Sequence, residues 1–81
     1  MDAGVAFGRV LRRLRLKAGL TQEQVGFEAD LRRTYVSILE LGQQQPSLAT
    51  ILKLAKALDQ SGQELIGLVE AEIQQKSGRK K

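Results

Sequence analysis

Eighty-one residues suffice for one domain at most, and a chain of this size buries only about 65% of its unfolded surface, so support from a partner chain is plausible. Cysteine and histidine are both absent, which excludes disulfides and removes the usual zinc ligands and the commonest general base. The net charge of +4 and pI near 9.9 favour a polyanionic partner without separating DNA, RNA and anionic membrane, while no apolar run reaches the roughly 20 residues of a bilayer span.

Phe7, Val10, Leu11 and Leu14 recur at i, i+3, i+4 and i+7, the signature of one buried helical face. They predict a first helix over about residues 4–18, with Arg9, Arg12, Arg13 and Lys17 on its other sides. This periodicity argues against reading the arginine-rich start as a transit peptide. Gly19 supplies a stop. Thr21 and Gln24 have the spacing of a capping box, which opens a short second helix over about residues 22–29. Val25 and Ala29 are its apolar residues, with Phe27 a further candidate.

A third helix over about residues 32–41 turns Val36 and Leu39 inward and ends at Gly42, a residue suited to a helix C-terminus. Gln43 to Gln45 and the single proline, Pro46, make a loop. Ser47 is a good N-cap for a fourth helix over about residues 48–58, with an apolar stripe of Leu48, Ile51, Leu52, Ala55 and Leu58. Ser61 and Glu64 repeat the capping-box spacing ahead of a fifth helix over about residues 62–75. A short basic tail, residues 76–81, follows. Nothing reads as a strand or as a linker between domains, so residues 1–81 are expected to form a single all-α domain, a compact five-helix bundle.

The stretch from Gln22 to Gly42 carries the functional information. Two short helices joined by so few residues must cross steeply, and their backbones approach closely at one point. Gly26 stands where a very small side chain is needed, and Asp30 is one of the few non-glycine residues that tolerates a left-handed turn. With Leu31, Val36 and Leu39 filling the angle, Arg32, Arg33, Thr34, Ser37 and Ile38 face outward.

In sequence order, the chain carries Ala18-Gly19-Leu20, Thr21-Gln22-Glu23, Tyr35 to Glu40 before Gly42, Pro46-Ser47-Leu48 and Leu54 to Leu58. These pieces resemble the Cro/phage-repressor-like (Xre) family of helix-turn-helix regulators over about Val10 to Leu58. The run Arg33 to Ser37 also resembles the recognition helix of restriction-modification controller proteins. The resemblance implies a lambda-repressor-like DNA-binding fold and a cytoplasmic transcriptional regulator, a repressor or controller-type activator–repressor. Its expected partners are a pseudo-palindromic double-stranded DNA operator and a second copy of the chain. The chain departs from the pattern at two points: Asp30 stands where glycine is usual in the turn, and Gly26 where alanine is usual.

The resemblance gives Gln22 a phosphate contact at the start of helix two, where free N–H groups and the helix dipole attract anions. Arg33 and Thr34 occupy the first turn of the helix that enters a major groove, where arginine bonds bidentately to guanine. Arg32 reads as a phosphate clamp or a flank. Tyr35 has two readings, a core residue with its hydroxyl at the rim and a side chain lying along the DNA backbone. Ser37 is a phosphate or base contact. Ile38 fits a thymine methyl and fits partial burial against helix two about equally. Gln43, Gln44 and Gln45 follow helix three where family members touch the DNA backbone, and ordinary solvated loop residues would look the same. The family pairs an arginine with a glutamate at the positions of Arg15 and Glu40, which implies a structural salt bridge.

Helix five has more apolar residues than one stripe requires. Leu65, Leu68, Val69 and Ile73 are therefore expected at a dimer interface, the alternative being a core that stays within one chain. No cofactor, metal, membrane contact or small-molecule effector is implied. Without histidine, cysteine or clustered carboxylates no catalytic set is expected. The competing reading is an antitoxin-like module whose main partner is another protein.

Overall fold

A computed structural model describes residues 1–76 of the chain. It contains α1 (Ala3–Lys17), α2 (Gln22–Ala29), α3 (Arg33–Glu40), α4 (Leu48–Ala57) and α5 (Gly62–Lys76), with no strand among the described residues. The expected basic tail, beyond its first residue, lies outside the described residues.

Local sequence sets the helix starts. Thr21 accepts a hydrogen bond from the Gln24 N–H at 3.0 Å, and the Gln24 side chain accepts from the Thr21 N–H at 2.8 Å. Ser61 and Glu64 repeat the arrangement at 3.0 and 2.7 Å. Ser47 caps α4 by accepting from the Thr50 N–H. Each such bond satisfies a donor that the helix itself leaves free, typically worth about 1 kcal/mol. Asp2, which the sequence reading leaves out, caps α1 in the same way through the Val5 N–H.

Packing places α1 against α3 and α5, α2 against α3 and α4, and α4 against α5. Val10, Leu11, Val25, Val36, Leu39, Leu54 and Leu65 are fully buried. Asp30 adopts the left-handed conformation at φ 58°, ψ 47° and turns the chain from α2 toward α3. A Cβ on Gly26 would stand 2.6 Å from the Leu31 carbonyl oxygen, so the steep α2–α3 crossing needs its missing side chain.

Three apolar positions differ from the sequence reading. Phe27 points outward and is 84% exposed. Val25 and Ala29 already fill the inward arc of this eight-residue helix, and Phe27 lies about half a turn away from them. Leu48 and Leu52 are 71% and 52% exposed because Leu54, Ala55 and Leu58 take the inward arc of α4.

Gly8 is a second close approach. A Cβ there would overlap the Leu39 carbonyl oxygen and stand 2.6 Å from that of Glu40. Here α1 runs across the C-terminal carbonyls of α3. Alanine gains about 1 kcal/mol of helix propensity over glycine, but forcing extra volume against fixed backbone costs typically 1–3 kcal/mol. Gly8→Ala should therefore lose net stability, up to about 2 kcal/mol, read as a lower denaturation midpoint in urea with an unchanged slope. A midpoint at or above that of the parent would show that α1 slides on α3 at no cost.

Candidate nucleic-acid interface

Three helices meet at Glu40. Its carboxylate accepts from Arg15 Nε at 2.6 Å, Arg15 Nη2 at 3.0 Å and Gln22 Nε2 at 3.1 Å. Arg15 Nη1 donates to the Leu20 carbonyl at 3.0 Å, so one guanidinium fixes both α3 and the α1–α2 turn. The Arg15 and Glu40 side chains are only 10% and 4% exposed. The hydrogen bond to Glu40 raises the Arg15 pKa above its ordinary value; burial opposes this, and the Glu40 charge adds to it. The guanidinium is therefore charged at every working pH.

This anchoring sets which side of α3 faces outward. Val36 and Leu39 point into the core. Thr34, Ser37, Ile38 and Leu41 follow the i, i+3, i+4, i+7 rule on the opposite side, with Arg33 at its leading edge. Arg32, Arg33 and Thr34 are exposed, whereas Ser37 and Ile38 are half-buried. Arg32 is the N-cap of α3 and no side chain caps that end. Tyr35 is half-buried and packs against the core cluster, with part of its surface at the rim.

Gln22 stands at the first position of α2, but its amide does not simply project into solvent. One N–H is taken by Glu40, and a primary amide has a second. Gln43 and Gln44 are exposed in the loop after α3. Gln45, exposed as well, leans on the first turn of α1, with its Cγ 3.0 Å from where a Cβ of Gly4 would lie.

Two residues join this surface that the sequence reading did not single out. Arg12 lines a cleft with Gln22, Ser37 and Leu41, placing a basic group from α1 beside the start of α2 and the outer face of α3. Leu41 is 66% exposed at the end of that face. Helical periodicity extended one turn beyond Ile38 finds Leu41. Arg12 is the arginine next to the inward arc of α1 on the Arg15 side, a placement that helical angle alone supplies.

The expected dimer residues need correction. Leu65 is fully buried and Val69 is 7% exposed, both drawn into the core of their own chain. Ile73 is half-buried against the same core. Leu68 is 37% exposed but lies about 200° around α5 from Ile66, at 100° per residue, so the two do not share a face. The wide apolar arc of α5 is mostly used in holding α5 on α1 and α4. A buried acid contributes as well: Arg13 donates twice to Glu72 Oε1 at 3.1 Å, and Arg9 lies 3.9 Å from Oε2. Leu48, Leu52 and Ile66 are exposed; Leu48 and Leu52 stand one turn apart on α4, and Leu52 reaches over Gly62, one turn before Ile66 on α5.

Among the described residues no group of histidine, cysteine or acidic side chains could hold a metal, and no helix is long and apolar enough to cross a membrane.

Comparison with known proteins gives this arrangement its context. A family model described as Helix-turn-helix matches residues 11–65. Control protein C.BamHI of Bacillus amyloliquefaciens is 43% identical over 61 residues, covering 74% of this chain and 75% of that protein. The crystal structure of the restriction-modification controller protein C.AhdI from Aeromonas hydrophila superposes with a TM-score of 0.74 at 50% identity, covering 76% of this chain and 94% of that one. The controller protein C.Esp1396I, solved as a tetramer in complex with its natural 35 base-pair operator, superposes with a TM-score of 0.82 at 25% identity, covering 90% of this chain and 96% of that one. The chain, five helices with α2 and α3 crossing at Gly26, belongs to the helix-turn-helix family and is similar to its restriction-modification control proteins.

Proposed function

We propose that the protein is a transcriptional regulator that reads a specific double-stranded DNA operator with α3 and binds it as a homodimer. The observation that carries this reading is the outer face of α3. Arg33, Thr34, Ser37 and Ile38 occupy one side of a helix whose other side is locked by Val36, Leu39 and the Arg15–Glu40–Gln22 network. A helix presented so rigidly fits a major groove, where arginine recognises guanine O6 and N7 and an aliphatic side chain meets a thymine methyl.

Phosphate contacts come from the remaining N–H of Gln22, the free first-turn N–H groups of α2, Arg32 and Arg12, with Gln43 and Gln44 at the far end of α3. They set register and supply salt-dependent affinity. Tyr35 contributes its exposed edge to the DNA backbone while its ring completes the core. The chemistry is recognition, with no bond made or broken. A cytoplasmic place of action, beside the chromosome, goes with that role.

The dimer forms across Leu48, Leu52 and Ile66, an apolar surface that the single chain leaves open. A two-fold there presents two copies of α3 to half-sites about 34 Å apart on one face of the duplex. Leu52→Glu should shift the protein to monomer, read as half the sedimentation mass. It should also weaken operator binding by roughly the effective-concentration advantage of linked sites, about 100-fold. An unchanged mass would move the interface elsewhere.

The overall reading is tested by selecting bound duplexes from a randomised pool at about physiological salt, where non-specific binding is weak. One inverted-repeat motif is the expected result. Absence of any enriched sequence would leave charge attraction alone and remove the reading.

A further inference from the structure

The outer face of α3 changes character along its length. Its start carries Arg32, Arg33 and Thr34, all polar and exposed, whereas its end presents Ile38, half-buried, and Leu41, 66% exposed. Three residues apart on a helix, the two aliphatic side chains are surface neighbours. Leu41 is the C-cap residue and keeps right-handed helical angles, φ −80° and ψ −4°, so it continues the row of Thr34, Ser37 and Ile38. Its backbone is held in place. The Leu41 N–H donates to the Ser37 carbonyl at 3.0 Å, and those of Gly42 and Gln43 donate back to Leu39 and Ile38 at 3.1 Å. Glu40, the residue before it, is fixed by Arg15 and Gln22. A lone exposed leucine is ordinary. This one ends the row that faces DNA and has a second aliphatic side chain beside it, so burying it gains stability only against an apolar group.

The surroundings of Leu41 narrow what that group is. It lines one cleft with Arg12, Gln22 and Ser37, a basic and polar rim suited to phosphates. The apolar group that a duplex offers in its major groove is the C5-methyl of a pyrimidine. Thymine carries it, and 5-methylcytosine carries the same methyl on the same carbon. The two bases differ at C4, an O4 acceptor against an N4 donor. An aliphatic side chain has no polar atom with which to tell them apart. Leu41 lies eight residues beyond Arg33, about 12 Å along α3 at 1.5 Å per residue. That is roughly three base-pair steps of 3.4 Å, so the two ends of the face meet different base pairs.

We propose that Leu41, supported by Ile38, is a specificity-determining residue that reads a pyrimidine C5-methyl group, on thymine or 5-methylcytosine, at one position of each half-site. This assignment rests on the DNA-binding reading above. A site with cytosine at that position binds more tightly once the cytosine is methylated.

The test uses the full chain and the selected operator. Each pyrimidine of the half-site is replaced in turn, in both halves, by thymine, uracil, 5-methylcytosine and cytosine, each opposite its complement. Binding is followed by fluorescence anisotropy. Uracil lacks only the methyl of thymine, and cytosine only that of 5-methylcytosine, so each pair isolates one methyl group. At one position the parent should lose about fourfold per half-site within each pair, the worth of one buried methyl-sized group. Leu41→Ala should erase both differences there, whereas Leu41→Met, still apolar, should keep them. Thermal denaturation of Leu41→Ala should match the parent, since the side chain is solvent-exposed in the free protein, which separates lost reading from lost fold. A parent indifferent to the methyl at every position, or a dependence that Leu41→Ala leaves intact, overturns the proposal. A difference within the thymine pair alone also overturns it, because a contact at C4 would then be deciding. Failure of the parent to bind the operator at all would instead overturn the DNA-binding reading itself.

Discussion

Glu40→Ala should cost about 3–5 kcal/mol, because it leaves the Arg15 cation buried without its counter-charge. A domain of this kind has only about 5–15 kcal/mol of stability in total, so the loss is a large share of it and should lower the denaturation midpoint sharply. Relief by deprotonation is closed, since the intrinsic basicity of a guanidinium keeps Arg15 charged even without its partner. Denaturation followed by circular dichroism measures it. Glu40→Gln, which keeps the shape and one acceptor, should lose less. Replacing both partners with apolar residues, Arg15→Met with Glu40→Leu, should recover much of the stability, as buried pairs elsewhere do. A loss below about 1 kcal/mol for Glu40→Ala would mean that the pair behaves as a solvent-screened surface bridge. The same network holds Gln22 and the turn at Leu20, so DNA binding should fall with it even where the fold survives.

Helix positions were legible because their signals are local. A 3.6-residue periodicity marks α1, and Thr21–Gln24 and Ser61–Glu64 announce α2 and α5 through bonds made within four residues. The turn at Asp30 and the narrow passage at Gly26 were legible for the same reason, since two short helices with so brief a connection leave few geometries. What depends on distant neighbours was not. Leu48, Leu52, Leu65 and Val69 are all aliphatic in the sequence; only the packing of α4 and α5 decides that the first two are open and the last two closed. Gly8 looks like a weak point in α1 until the Leu39 and Glu40 carbonyls are set against it. Glu72 reads as one more solvated acid on a polar helix, yet it is buried under Arg13, fifty-nine positions away. Phe27 illustrates the reverse error: an aromatic residue in a short helix invites burial, but the inward arc was already full.

The outer face of α3 makes the other large prediction. Arg33→Ala should weaken binding to the selected operator by about 1–3 kcal/mol per half-site, roughly 5- to 150-fold, the usual worth of a bidentate arginine–guanine contact. Loss of a base contact has a signature that loss of a phosphate contact lacks. The variant should accept all four bases at one position in each half-site, while its affinity for random DNA and the salt dependence of that affinity change little. Arg32→Ala, removing a group placed to clamp phosphate, should weaken operator and random DNA alike and reduce the salt slope by about one. The two arginines are adjacent in sequence, equally charged and both exposed. Net charge therefore treats them alike, and only their positions on α3 distinguish them. Arg33 is within the first turn, whereas Arg32 precedes it as N-cap. Binding isotherms for both variants on matched and scrambled duplexes, at two or more salt concentrations, separate these contributions. Equal losses on operator and scrambled DNA for Arg33→Ala would place its guanidinium on the phosphates and leave base reading to Thr34, Ser37 and Ile38.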